Sequence, residues 1–157
     1  MTVKPIPDGY KAVTPHLTIN NAADAIEFYK NAFGAKELSR MEGPGGKIMH
    51  AAIQVGDCVV MLNDEFPDMG ACSPLALGGS PITLHLYVEN VDEFYDQAIG
   101  AGAKALFPVN DTFWGDRYGK LEDPYGHKWS IATHIEDLTD EEICKRGKEF
   151  FSKHSGD

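Results

Sequence analysis

Between Val13 and Asn20 apolar and polar residues alternate, with Val13, Pro15, Leu17 and Ile19 on one face and Thr14, His16, Thr18 and Asn20 on the other. A period of two is the mark of a half-buried strand. The spacing then changes. Ala25, Ile26, Tyr29 and Phe33 recur at helical intervals and Gly34 follows, which predicts a helix over 22–33 stopped by glycine. Residues 35–42, 47–55 and 59–63 return to strand character, separated by the Gly43-Pro44-Gly45-Gly46 and Gly56-Asp57 turns. Parity along 47–55 puts Ile48, His50, Ala52 and Gln54 on one face and Met49, Ala51, Ile53 and Val55 on the other. From residue 82 the order repeats as a strand over 82–89, a helix over 91–101 and a strand over 104–109. A hairpin over 118–133 then turns at Asp123-Pro124-Tyr125-Gly126, with proline at a favoured turn position.

The repetition extends to the residues themselves. Thr14, His16, Leu17 and Asn21 recur as Thr83, His85, Leu86 and Asn90, and Gly34-Ala35-Lys36 recurs as Gly102-Ala103-Lys104. Two units of this length are too long for a solenoid and argue for a duplicated supersecondary module, with function to be sought where the copies meet. The chain therefore reads as one domain with module 1 at about 9–66 and module 2 at about 80–134. Gly78-Gly79-Ser80-Pro81 is the boundary, and the connection over 65–77 is long enough to let module 2 reach another chain. Thr139 with Glu142 is a capping-box pattern, opening a C-terminal helix at about 139–153 with Ile143, Gly147, Phe150 and Phe151 along one side. That helix is expected to act as a surface clasp.

Composition narrows the function classes. A chain of 157 residues, 43% hydrophobic and 10% aromatic, suits a single well-buried domain. No stretch approaches the length of a membrane span and the first residues lack an apolar segment, so the expectation is a cytoplasmic protein with no membrane partner. A net charge of −10 with scattered Lys and Arg would repel phosphate backbones, which argues against nucleic acid. Cys58, Cys72 and Cys144 are odd in number and unpatterned, as reduced thiols would be, with Cys58 expected to fill the core from a strand. Gly43 to Lys47 lacks the spacing of a phosphate loop and reads as a turn. His127 reads as a turn residue, and His134 and His154 lie near the tail without an evident partner.

Several motifs recur together: His-Leu-x-[Ile/Val]-x-Asn opening each copy at His16 and His85, Phe-Tyr in each helix, Gly-Ala-Lys after it, and Asp-Pro-Tyr-Gly-His-Lys-Trp-Ser-Ile from Asp123. This set resembles the vicinal oxygen chelate superfamily, which includes glyoxalase I, bleomycin resistance proteins and extradiol dioxygenases. The run from Phe113 to His134, with the Pro7-Asp8-Gly9-Tyr10 start, resembles more narrowly its PhnB-like branch. The resemblance covers residues 9 to about 151. It implies an α+β fold in which two βαβββ modules form curled half-barrel sheets around a shared cleft, the glyoxalase/bleomycin-resistance fold, with helices on the convex sides. The alternation then turns Leu17, Ile19, Leu86 and Val88 toward the helices, and Thr14, His16, Thr18, Thr83, His85 and Tyr87 toward the cleft. The expected ligand-binding set is His16, His50, Gln54, Thr83, His85, Trp114 and Ser130. Trp114, in a glycine-punctuated loop at the cleft edge, is placed to cover a planar ligand.

Metal-dependent members of the superfamily carry His and Glu ligands on the first and last strands of each module. The resemblance aligns those positions with Thr14, Met61, Thr83 and Ser130, which are poor ligands for a transition metal. His16 and His85 lie two residues further along, roughly 7 Å on a strand, and would be the ligands of a divalent metal if one is held. Three readings follow. A small-molecule-binding or sequestering protein, without a resident metal, is favoured by the missing acidic ligands. A metal-dependent lyase, isomerase or dioxygenase would use His16 and His85. A metal-free enzyme would use one of them as acid or base. A homodimer is expected, to cover sheet faces or edges that one chain leaves open.

Overall fold

The computed structural model describes residues 2–154. In chain order the first module is β1 (His16–Ile19), α1 (Ala22–Phe33), β2 (Lys36–Glu42), β3 (Ile48–Val55) and β4 (Cys58–Asp64). A connection holding the one-turn α2 (Pro74–Leu77) leads to β5 (Thr83–Tyr87), α3 (Val91–Ala101), β6 (Lys104–Asp111), β7 (Asp116–Glu122) and β8 (Lys128–His134), and α4 (Asp140–His154) follows. The sheets are ordered β1-β4-β3-β2 and β5-β8-β7-β6, each with its first strand parallel to its last and the remaining pairs antiparallel. Both modules are thus βαβββ units of the same topology, and neither sheet closes into a barrel.

The duplication preserves geometry while exchanging chemistry. Asn21 takes a left-handed φ of 72° and caps α1, and Gly34, also left-handed, ends it with its N–H on the Lys30 and Tyr29 carbonyls. The first N–H of α1, on Ala22, donates to the Asp64 carboxylate at 2.8 Å. In the second module the corresponding N–H of Val91 donates to the Thr133 hydroxyl at 2.9 Å. Both side chains come from the last strand of their sheet, so each satisfies an orphan helix donor and ties helix to sheet.

The convex sides of the two sheets share one core. Ile26, Tyr29 and Phe33 of α1 join Ile53, Leu62, Leu121, Trp129 and Ile131 in a single buried cluster. Phe33 stacks on Phe94 of α3 at 5.5 Å and meets Trp129 at 4.8 Å, so the modules join through their helices. Asp123 fastens this junction, accepting the Tyr29 hydroxyl at 2.5 Å, Trp129 Nε1–H at 2.9 Å and the backbone N–H groups of Tyr125 and His127. Burial pushes the Asp123 carboxyl up, while these donors pull it down. On the strand side, His127 Nε2–H donates to the Thr18 carbonyl at 3.0 Å, and Pro15 to Leu17 share a cavity wall with Ile82 and Leu84. The edges of β1 and β5 therefore lie beside each other without a ladder between them.

Several boundaries differ from the sequence pattern. Val13 and Thr14 fall outside β1, with Val13 86% exposed, because the Thr14 hydroxyl bends back to the Lys11 carbonyl before the ladder begins. Ile82 lies outside β5 and is exposed for the same kind of reason, its N–H turned to the Ser80 hydroxyl. Parity fails at the start of β3, where Ile48 is fully buried and Met49 is 42% exposed. Pairing there passes from Met41 opposite His50 to Glu42 opposite Ile48, a bulge that leaves Met49 over and reverses the facing of what precedes it. From His50 onward Ala51, Ile53 and Val55 enter the core. Cys58 opens β4 and is only half-buried. The 65–77 connection is braced internally by Glu65, which accepts the N–H and hydroxyl of Ser73, and it packs on its own second module, where a Cβ on Gly126 would stand 2.8 Å from Pro74.

Candidate functional site

The concave face of the second module holds the most developed constellation. His85 and Ser130 are register partners on β5 and β8, and His85 Nδ1 lies 2.5 Å from Ser130 Oγ. The His85 ring meets Tyr87 edge-on at 4.7 Å and lies nearly parallel to Tyr118 at 6.0 Å. Partial desolvation pushes the His85 pKa down, an effect that the Asp116 charge opposes more weakly. With Nδ1 held by Ser130, Nε2 is the nitrogen left to meet a ligand.

On the same face, at the start of β7, sits Asp116, 3% exposed. Its Oδ2 accepts the Tyr87 hydroxyl at 2.9 Å and Trp114 Nε1–H at 3.2 Å, and its Oδ1 accepts His134 Nδ1–H at 2.8 Å. One buried carboxylate therefore orients three ligand-sized rings. Sequence pattern alone missed Asp116 and left His134 without a partner. The signal was the pair of hairpin strands, since Asp116 and His134 are opposite each other at the open end of β7 and β8.

Trp114 forms a wall of an adjoining cavity of about 430 Å³, together with Phe107, Phe113, Tyr118 and, from α4, Phe150 and Phe151. Trp114 meets Tyr118 edge-on at 5.6 Å and Phe113 at 5.0 Å. The loop that carries it depends on Gly115, whose φ is +96° and where a Cβ would stand 2.6 Å from the Glu136 carbonyl oxygen.

The first module presents a sparser face. Asn63 Nδ2 donates to the Asp64 carbonyl at 2.7 Å, which fixes its amide and aims Oδ1 at His16. His16 Nε2–H donates to that oxygen at 2.5 Å, leaving Nδ1 free. The His50 ring stands 5.9 Å from His16, nearly perpendicular. Gln54 folds onto its own turn by donating to the Gly56 carbonyl, and Thr83 is exposed opposite Lys128. The expected residues thus separate into a His16–His50 group and a His85–Ser130–Trp114 group. No hydrogen bond or ring contact joins the two among the described residues.

Register decides which side chains stand together across the first and last strands: His16 with Met61, and His85 with Ser130. Their donors are two imidazoles, a thioether and a hydroxyl, with one nitrogen of each imidazole already engaged. Among the described residues no group of three or more His, Cys, Asp or Glu could hold a metal ion. This donor set does not fit a divalent ion held by imidazole and carboxylate.

Comparison with known proteins gives the family. The sequence model of the Glyoxalase/Bleomycin resistance protein/Dioxygenase superfamily matches residues 11–131. Protein Rv0887c of Mycobacterium tuberculosis is 44% identical over 135 residues, which span 84% of this chain and 79% of that protein. Protein YjdN of Escherichia coli is 27% identical over 143 residues, spanning 76% of this chain and 92% of that one. Among solved structures, TioX from Micromonospora sp. ML1 superposes with a TM-score of 0.63 at 25% identity, covering 82% of this chain and all of TioX. The PhnB protein from Bacillus cereus shares the fold at 19% identity and a TM-score of 0.59, covering 78% of this chain and 99% of that one. No helix among the described residues is long and apolar enough to cross a membrane. The chain belongs to the glyoxalase/bleomycin resistance protein/dioxygenase superfamily.

Proposed function

We propose that this protein binds a small organic molecule on its concave faces and works without a resident metal. One observation carries the reading: His85, anchored by Ser130, opens beside an aromatic-walled cavity in a chain whose strand-paired donors do not fit a divalent ion. Such a site has hydrogen-bonding groups to orient a ligand and apolar area to hold it. The functional unit in this reading is a homodimer of whole chains, both modules and α4 acting together. Three unpaired thiols support a reducing, cytoplasmic setting.

A metal-free acid–base enzyme is the second reading, favoured by His85, which has one nitrogen held and the other available. Native mass spectrometry of protein purified without chelator tests the first reading. We expect an organic molecule bound to the folded chain, substoichiometric metal, and loss of that molecule on His85→Ala with Trp114→Ala. About one divalent ion per chain, removed by His16→Ala with His85→Ala, would install the metal-dependent alternative instead. Conversion of the bound molecule that stops in His85→Ala would install the acid–base reading.

A further inference from the structure

The concave face of the first module gathers soft donors. His16 of β1 and Met61 of β4 are register partners on strands about 4.8 Å apart. Met61 also pairs with Ala52 of β3, so His50, two residues back along β3, shares its face, and Met41 of β2 pairs with His50. Two imidazoles and two thioethers, from all four strands of the sheet, therefore stand on one face, with the His16 and His50 rings 5.9 Å apart. Met49 is not among them. The bulge carries it aside to lie over Gly43, where a Cβ would meet its sulfur at 2.7 Å.

His16 is held in the manner of a ligating histidine. The Asn63 amide donates to the Asp64 carbonyl and its oxygen takes His16 Nε2–H, which puts the lone pair of the neutral ring on Nδ1. A carbonyl on one ring nitrogen is how metal-bound imidazoles are commonly oriented, because it fixes both tautomer and ring plane. The donors are also uncharged. Asp64, further along β4, accepts Ala22 N–H on one oxygen and Ile48 N–H on the other, so its carboxylate is already engaged with the backbone. Thioethers are weak partners for hard divalent ions and good ones for Cu(I), which is soft and singly charged.

We infer that this face is a binding site for a soft monovalent metal ion, Cu(I), held by His16 Nδ1, the Met61 sulfur and His50, with Met41 of the edge strand as a further donor. His16 is exposed and Met41 is 59% exposed, so the ion exchanges with solvent and is no resident cofactor. The site lies on the first module, apart from the His85 group, and stands independently of the small-molecule reading. Ag(I) is the probe, as a soft monovalent ion that air does not oxidise. Thiols also bind it, and Cys72 lines a small cavity with His16, so the full chain is titrated with Cys58→Ser, Cys72→Ser and Cys144→Ser, at positions none of which is buried. If that variant does not fold, wild type titrated beyond its three thiols gives the same readout. In spectra of methyl-labelled methionine, about one equivalent of Ag(I) should shift Met41 and Met61 and leave Met49 and Met69 in place, with the His16 Nδ1 resonance moving alongside. Met61→Leu, which keeps the bulk and removes the sulfur, should weaken Ag(I) by about tenfold or more, whereas Met49→Leu should not. Zn(II) should leave the methionine methyls unmoved. Bound Ag(I) that leaves the Met61 methyl in place, an equal shift with Zn(II), or an affinity unchanged by Met61→Leu would overturn the inference. None of these outcomes bears on the organic molecule sought beside His85, whose absence would count against the small-molecule reading alone.

Discussion

Two buried aspartates do parallel work at opposite sides of the second sheet. Asp123 accepts polar hydrogens from Tyr29 and Trp129 and so locks the junction between modules. Asp116 accepts from Tyr87, Trp114 and His134 and so sets the ring positions of the site. Trp114 apart, the side-chain partners lie on other strands and on α1, so these roles cannot be read from the aspartates' neighbours in sequence. His134 adds a pH dependence. It meets Asp116 and Asp137 at 2.8 Å each, and these hydrogen bonds raise its pKa above the ordinary value. A raised value means that folding favours the imidazolium. Its stabilisation is fully present below the unfolded value, near about 6.5, and is lost as pH rises through the higher folded value. The melting temperature of the wild type should therefore fall from about pH 6 to about pH 8 more steeply than that of His134→Gln. Parallel profiles would show that His134 contributes nothing to this dependence.

Among elements, the regular ones follow from local pattern and the irregular ones from contacts. α1 and α3 occupy the residues whose apolar spacing and asparagine caps foretell them. The Thr139 cap is likewise present, with its hydroxyl accepting Glu142 N–H at 3.1 Å. β3 departs at Met49 because the bulge belongs to the pairing of two strands, and a single strand's alternation carries no trace of it. The loop from Thr112 to Gly115 is decided by crowding. Ile135 and Glu136 both donate to the Gly115 carbonyl, and the chain there passes too close for a side chain at residue 115. Gly115→Ala combines a positive φ with a backbone clash and should cost about 2–3 kcal/mol in urea unfolding. It should also loosen α4, seen as faster amide exchange over 143–151. Wild-type stability in this variant would mean that the loop can move aside freely.

At the scale of the whole molecule, each sheet keeps one outer edge, β2 and β6, and exposed apolar side chains stand near both: Leu38, Met41 and Met49 on the first sheet and Phe107 on the second. Such edges and patches are commonly covered by a second copy. Sedimentation at micromolar concentration should give twice the chain mass, and a clean single-chain mass would refute the homodimer. The sequence by itself determined the two βαβββ modules, the helix ends, and the facing of Leu17, Ile19 and His16, because these depend on residues two to four positions apart. Tertiary structure alone decided that His85 stands with Ser130 and that Asp116 gathers Trp114, Tyr87 and His134. It alone brought α4 to close the aromatic cavity, and it kept the His16 group apart from the His85 group. Strand register and helix docking are set by packing between residues far apart in the chain, and such packing leaves no period in the sequence for a reader to find.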